Sequence, residues 1–91
     1  MGKLRSIAKS FTTDELIGES LPKQPIIELF SDNRVYIERH LGVYAYSETQ
    51  IHIGVHFGQI VINGSCLKMA RISKENLVVT GQIRCIELIR G

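Results

Sequence analysis

The chain has 91 residues and a formal net charge of +2 at pH 7, which fits one small domain with a modest hydrophobic core. Basic and acidic residues nearly balance, which disfavours a dedicated nucleic-acid-binding protein with a concentrated basic face. No apolar run reaches the ~20 residues of a transmembrane helix, and the N-terminus lacks the unbroken apolar core of a secretory signal. We therefore expect a cytoplasmic protein whose two cysteines, Cys66 and Cys85, are free thiols rather than a disulfide.

Residues 1–22 are predicted to form a basic amphipathic helical arm, which ends at Pro22. Its apolar residues recur at the i, i+3, i+4, i+7 spacing of one helical face, and its basic residues occupy the other side. The apolar positions are Leu4, Ile7, Ala8 and Phe11, and the basic positions are Lys3, Arg5 and Lys9. Two roles fit this pattern. The arm contacts an anionic membrane surface or a membrane partner, or it packs as a cover over the sheet.

Residues 23–91 are predicted to form a single β domain of short antiparallel strands. Apolar and polar residues alternate with period two, and each run meets a turn signal within a few residues. The predicted strands lie at 26–30, 35–38, 43–46, 51–57, 60–62, 65–69, 77–79 and 83–89. The dipeptides Gly58-Gln59 and Asn63-Gly64 are predicted to be two-residue hairpin turns, which makes this part of the chain a meander.

The last predicted strand changes its apolar face, since Ile83 and Cys85 are in phase with each other whereas Ile86 and Leu88 are not. A bulge near Cys85 explains the change, and so does a strand that is buried on both faces. The predicted fold is therefore mainly β, a small antiparallel meander that forms a sandwich, a roll or a partly open barrel. A second apolar face is the predicted surface for a partner or another copy of the chain, and it contains Val61, Cys66, Val78, Ile86 and Leu88.

The polar residues form no recognisable reaction centre. His52 and His56 lie four positions apart in one predicted strand, so their Cα atoms are ~13 Å apart, too far to share a metal bound at ~2.1 Å. Cys66 has no oxyanion device or nucleophile turn beside it, no pair of carboxylates meets in a cleft, and no phosphate-binding glycine motif occurs. We expect no catalytic residue, no metal site and no cofactor, and therefore a protein that is not an enzyme.

Five short segments along the chain carry a likeness to a known family. They are Leu21-Pro22-Lys23, residues 35–43, Tyr46-Ser47-Glu48, residues 58–64 and Gly81-Gln82-Ile83. In this order they resemble the YqfC branch of the YabP/YqfC family of sporulation proteins. The resemblance implies a small, mostly β protein of endospore-forming bacteria that acts during spore development with a membrane-associated partner. It implies no enzymatic activity, no cofactor and no catalytic residue.

Two functions from different classes follow. The first is a non-enzymatic interaction and assembly protein of sporulation, a homo-oligomer that works with a membrane protein and is peripheral at the membrane in sporulating cells. The second is a small β-barrel module that binds a ligand or nucleic acid. In the second, bases would stack on tyrosines beside arginines near residues 34–46, namely Arg34, Tyr36, Arg39, Tyr44 and Tyr46.

Overall fold

The structure is a computed structural model that describes residues 23–91, and these residues form six strands of one antiparallel sheet. The strands are β1 (Ile26–Phe30), β2 (Arg34–Glu38), β3 (Gly42–Tyr46), β4 (Gln50–Val55), β5 (Gly58–Ile72) and β6 (Asn76–Arg90). The predicted β class is confirmed. The predicted helical arm lies outside the described residues, and residues 23–91 contain no helix capable of crossing a membrane.

Two long central strands divide the sheet into two halves. The strand order is β1-β2-β6-β5-β4-β3, and β5 and β6 contain 15 residues each. β4 pairs with residues 58–63 of β5, whereas β2 pairs with residues 76–80 of β6. Buried side chains from both halves belong to one cluster, so the sheet bends over itself and encloses its inner face. The sheet stays open because β1 and β3 pair on one side only.

The core is aliphatic and comes from alternate residues of the four inner strands. Burying one such side chain contributes roughly 1.5–3 kcal/mol, and β-branched residues fit the pleated surface well. The core therefore follows directly from the period-two pattern that predicts the strands. Its members are Val35, Ile37, Ile51, Ile53, Val55, Ile60, Ile62, Leu67, Leu77 and Val79.

The two outer hairpins, β1–β2 and β3–β4, share a sequence pattern. The same pattern occurs at residues 30–37 and 46–53. It starts with an aromatic residue, a serine and an acidic residue. After two further positions come an aliphatic residue and, two residues later, an isoleucine. In each hairpin, two turn carbonyls accept hydrogen bonds from a bulged central strand. Ile83 and Gly81 donate to Asp32 and Asn33, and Leu67 and Gly64 donate to Glu48 and Thr49. The two halves of the sheet are thus built from related units.

Glycine is required at positions 64 and 81 because the neighbouring strand occupies the space of a Cβ atom. A Cβ on Gly81 would lie 2.6 Å from the carbonyl oxygen of Cys66, and one on Gly64 would fall on the carbonyl oxygen of Gln82. Gly81 also has a φ of +133°, which L-residues rarely adopt. These glycines let β5 and β6 approach closely at their bulges.

The predicted hairpin turn at Gly58-Gln59 is wrong by two residues. Val55 pairs with Gly58, so the chain turns at 56–57 and both predicted turn residues belong to β5. The apolar stripe of β4 consequently ends at Val55, and Phe57 packs against the core from the turn.

The predicted hairpin turn at Asn63-Gly64 is also wrong, because both residues lie inside β5. The Asn63 side chain accepts a hydrogen bond from Gln50 of β4 and donates one to Glu87 of β6, which holds it in the middle of the sheet. Gly81, which lies between the predicted strands at 77–79 and 83–89, is likewise inside β6. The predicted strands at 60–62 and 65–69 are therefore one strand, β5. The meander itself holds from β3 to β6, which are neighbours in chain order, and β2 then pairs with β6.

A bulge causes the change of apolar face in the last strand, which confirms one of the two predicted explanations. The register between β5 and β6 skips Arg84. Beyond the bulge, Ile86 opposes Ile62 and Leu88 opposes Ile60. Both residues therefore lie on the inner face of the sheet.

Candidate interaction surface

The five residues of the predicted second apolar face do not form one surface. Ile86 and Leu88 lie on the inner face, and Leu88 is 60% exposed whereas Ile86 packs against the core. Val61 and Val78 lie on the outer face of different halves, and Val61 is only 2% exposed. Cys66 is exposed at a bulge of β5. Their contact with a partner stays a prediction, as does that of the arm residues, which lie outside the described residues: Lys3, Leu4, Arg5, Ile7, Lys9 and Phe11.

A ladder of polar side chains crosses the outer face of β4, β5 and β6. His52 Nε2 lies 2.9 Å from Gln50 Oε1, and His52 Nδ1 lies 3.1 Å from Gln59 Oε1. The amide of Gln50 donates to Asn63 Oδ1 at 2.8 Å. The amide of Asn63 donates in turn to the Glu87 carboxylate at 2.8 Å. We call these five residues the polar ladder.

The polar ladder accounts for the burial of Val61, an apolar residue on the outer face. Val61 opposes His52 on one neighbouring strand and Glu87 on the other, so ladder side chains cover it. Hydrogen bonds among the ladder residues satisfy many of the polar groups on this part of the outer face. This part of the face is therefore poorly suited to an apolar partner.

The histidines have separate positions in the structure. Within residues 23–91, no group of three or more His, Cys, Asp or Glu side chains is arranged to hold a metal ion. His52 belongs to the polar ladder, and His56 is exposed in the β4–β5 turn. His40 is buried, and its Nε2–H donates to the carbonyl oxygen of Ser73 at 2.9 Å. His40 thereby ties the β2–β3 connection to the β5–β6 turn, a role that the sequence analysis missed.

The tyrosines and arginines of the nucleic-acid hypothesis are spread across the sheet. Arg34 and Tyr36 lie on β2, whereas Tyr44 and Tyr46 lie on β3, at the far edge. Arg39 follows β2 and donates a hydrogen bond to the carbonyl oxygen of Gln24. The described residues do not bring these side chains together into one base-stacking surface.

Tyr36 is engaged with its own strand. Its hydroxyl donates to Glu38 Oε1 at 2.9 Å. This hydrogen bond raises the pKa of Tyr36, helped by desolvation and by the negative charges of Glu38 and Glu28, because all three favour the neutral phenol. The Tyr36 hydroxyl is therefore already partnered within the β1–β2 half of the sheet.

Most of the large apolar side chains that the described residues expose lie on the two edge strands or beside them. Five of them are Leu29 and Phe30 of β1, Leu41 beside β3, and Tyr44 and Tyr46 of β3. The other three, Ile72, Leu88 and Ile89, lie elsewhere. Edge strands present unpaired backbone groups that can add a further strand. β1 has Glu28 at its centre, whereas β3 contains neither charge nor proline. The β3 edge, defined as residues 41–46, is therefore the best candidate interaction surface.

A bulge shapes the β3 edge. The register between β3 and β4 skips Tyr44, and the Tyr44 ring occupies the space that a side chain at Gly54 would take. The glycine thus lets the ring lie against the sheet while it remains 62% exposed. An aromatic surface is held in place beside unpaired backbone groups.

Comparison with known proteins agrees with the resemblance noted in the sequence. The YabP family model matches residues 22–91 and so spans every described strand. The chain is also similar to a curated Bacillus subtilis (strain 168) protein, "Uncharacterized protein YqfC", with 24% identity over 93 residues and full coverage of both chains. No solved structure matches the chain significantly. The chain belongs to the YabP family, which indicates a sporulation-related protein.

Proposed function

We propose that this chain is a non-enzymatic sporulation protein that self-associates through the β3 edge and works with a membrane-associated partner. The observation that carries the proposal is an uncharged edge strand with two exposed tyrosines, Tyr44 and Tyr46. Pairing of strand edges supplies backbone hydrogen bonds, and exposed aromatic residues add contact area. Family membership supports the assignment to sporulation.

Charge favours the β3 edge over the β1 edge for pairing with a second copy. When two identical antiparallel strands overlap along their full length about a two-fold axis, the central residue faces itself. At β1 that residue is Glu28, and two carboxylates directly opposite each other are destabilising. β3 has no such obstacle, and cross-strand aromatic pairs are favourable. The proposal is therefore a two-fold dimer joined at β3.

The mass of the protein in solution tests this dimer. We expect light scattering to give a dimer mass for the wild-type chain as concentration rises, and a monomer mass for Tyr44→Lys/Tyr46→Lys. Lysine on an edge strand opposes the addition of another strand. Both tyrosines are more than half exposed, so the doubly substituted chain should fold, which circular dichroism checks.

Two matched variants make the test specific. Leu29→Lys places the same charge on the β1 edge, and Tyr44→Phe/Tyr46→Phe keeps both rings. Both variants are expected to remain dimers. A wild-type monomer at every concentration, or a Leu29→Lys variant that dissociates as readily as the tyrosine variant, contradicts pairing through β3.

The basic arm supports the membrane part of the proposal. Lys3, Arg5 and Lys9 lie within nine residues of the N-terminus beside an apolar stripe, a pattern typical of helices that bind anionic membrane surfaces. Near such a surface each Lys or Arg contributes ~1 kcal/mol, so three of them account for roughly a hundredfold in partitioning.

Vesicle flotation measures this contribution. The full chain is expected to float with vesicles that contain anionic lipid, and a chain lacking residues 1–12 is expected to stay in the dense fraction. Lys3→Gln/Arg5→Gln/Lys9→Gln is the matched variant, because it removes the charges and keeps the length. Equal flotation of all three proteins would show that the arm does not contact the membrane.

A further inference from the structure

The two halves of the sheet carry equivalent rows of side chains on the outer face. The pattern shared by the outer hairpins aligns Tyr36 of β2 with His52 of β4. Across β4, β5 and β6 one row contains His52, Val61 and Glu87, and across β2, β6 and β5 the equivalent row contains Tyr36, Val78 and Arg71. Arg71 therefore occupies the position that belongs to the carboxylate of the polar ladder in the other half.

This exchange of charge leaves the second half without a ladder of its own. Its next row contains Arg34, Thr80 and Lys68. Arginine and lysine side chains are hydrogen-bond donors only, so they cannot bond to one another as the ladder residues do. Val78 is accordingly half-buried, whereas the equivalent Val61 is 2% exposed. We call Arg34, Lys68 and Arg71 the basic patch.

The charges of the basic patch are available to a ligand. The register between β5 and β6 skips Ala70, and this bulge brings Arg71 to the same face as Lys68. All three patch residues are exposed. Within residues 23–91, none of them makes an ion pair or a side-chain hydrogen bond, and the ion pair found there joins Arg39 to Glu38.

Carboxylates limit the extent of the basic patch. Glu28 opposes Tyr36 from β1, and Glu38 accepts the hydrogen bond of the Tyr36 hydroxyl. The patch therefore covers two rows and three strands, roughly 7 Å by 10 Å at the usual spacings of a sheet. A membrane surface or a nucleic-acid backbone would also bring phosphates onto these carboxylates, which is unfavourable. A narrow ligand with a few carboxylates fits the patch better.

We propose that the basic patch binds an acidic segment of a partner protein, extended and with carboxylates at alternate positions. Lys68 and Arg71 lie in adjacent rows of one strand, a separation of ~6.8 Å, and carboxylates at alternate positions of an extended chain have the same spacing. A hollow of about 320 Å³, lined by Arg71, Tyr36 and Asn76 among others, gives a carboxylate room to reach the guanidinium. The ligand thus supplies the acceptor that Glu87 supplies in the polar ladder.

This assignment gives the chemistry of a partner and rests on the proposed interaction function, although it does not use the β3 edge. Fluorescence anisotropy of the labelled peptide Glu-Val-Glu-Val-Glu with the full chain tests it. We expect saturable binding that weakens as salt is added, and no binding of Lys-Val-Lys-Val-Lys. Arg71→Glu is expected to weaken binding of the acidic peptide about tenfold or more.

Arg90→Glu is the matched control, because it makes the same change of charge at the far end of β6. It is expected to bind the acidic peptide as the wild-type chain does. Lys68→Glu/Arg71→Glu is expected to bind Lys-Val-Lys-Val-Lys in place of the acidic peptide. The substituted residues are exposed, and circular dichroism checks that the variants fold.

Several results overturn the proposal. Absence of binding to the acidic peptide does so, and equal weakening by Arg71→Glu and Arg90→Glu shows a response to net charge alone. Tighter binding of a single-stranded oligonucleotide than of the peptide, with the same dependence on Arg71, assigns the patch to nucleic acid. Flotation of Lys3→Gln/Arg5→Gln/Lys9→Gln with anionic vesicles, if Arg71→Glu abolishes it, assigns the patch to lipid.

The acidic ligand and the dimer fail independently. Arg71→Glu is expected to keep the dimer mass, because β5 lies inside the sheet and β3 forms its edge. Tyr44→Lys/Tyr46→Lys is expected to keep binding of the acidic peptide. A wild-type monomer that binds the peptide contradicts the dimer alone, and a dimer that does not bind it contradicts the acidic ligand alone.

Discussion

Replacing Gly81 by alanine is expected to destabilise the fold strongly. The new Cβ would meet the carbonyl oxygen of Cys66 at 2.6 Å and the Cα of Leu67 at 2.9 Å, with the backbone at a φ of +133°. Steric overlap with backbone cannot be relieved by rotating a side chain, so β5 and β6 must separate. We expect a loss of about 4 kcal/mol or more, against a total of ~5–15 kcal/mol for a typical domain.

Two other glycines separate the cost of backbone strain from the cost of steric overlap. Gly42 has a φ of +137° and no atom near its Cβ position, so Gly42→Ala is expected to cost about 1–3 kcal/mol through backbone strain alone. Gly64→Ala places its Cβ on the carbonyl oxygen of Gln82, a closer overlap than at Gly81, and is expected to cost about 4 kcal/mol or more. Urea unfolding followed by circular dichroism gives the three values. A loss at Gly81 no larger than that at Gly42 would contradict the close approach of β5 and β6.

Ile60→Ala is expected to lower the free energy of unfolding by about 2–5 kcal/mol, because Ile60 is completely buried and the truncation leaves a cavity. Leu88 faces Ile60 across the β5–β6 pair and is its matched control. It is exposed, so Leu88→Ala is expected to cost less than about 1 kcal/mol.

Comparing Ile60→Ala with Leu88→Ala shows where the buried core ends along the β5–β6 pair. The same unfolding experiment compares both variants with the wild-type chain, and the difference between them measures how far the two sheet halves enclose the inner face. Equal losses would mean that Leu88 is as deeply buried as Ile60.

The outer hairpins could be predicted from sequence because their signals are local. Val35 and Ile37 alternate with polar residues after the turn at 31–33, and Ile51 and Ile53 do so after the turn at 47–49. The structure places strands and turns at these positions. Each alternation buries its aliphatic side chains in the core, so local pattern and packing agree.

The centre of the sheet could not be predicted in the same way. Asn63-Gly64 is a strong turn signal, yet hydrogen bonds from Asn63 to Gln50 and Glu87 hold it in a continuous strand. Pairing of β2 with β6 joins residues about forty positions apart, for which a local pattern carries no signal. Bulges at Arg84 and Gly81 also shift the alternation of β6, so that its apolar residues lie at odd positions in one part of the strand and at even positions in the other.

The candidate interaction surface depends on strand order, which the sequence does not reveal. The sequence alone offers Tyr44 and Tyr46 only as base-stacking residues, because only the sheet order places them on an edge. The polar ladder had a readable signal, because Gln50, His52 and Gln59 alternate with isoleucines on adjacent strands. Hydrogen bonding among them follows from the register, which the misplaced turns obscured.

The relation between the two outer hairpins has a consequence for how far assembly can proceed. Glu28 and Tyr44 occupy equivalent positions, each two residues before the aromatic that opens the shared pattern. The two edges of the sheet are therefore equivalent in position, with a carboxylate at the centre of β1 and an aromatic ring at the centre of β3. A dimer joined at its aromatic edges presents an acidic edge on either side, and the repulsion between such edges opposes further growth. The predicted product is a closed pair with no tendency to form fibres.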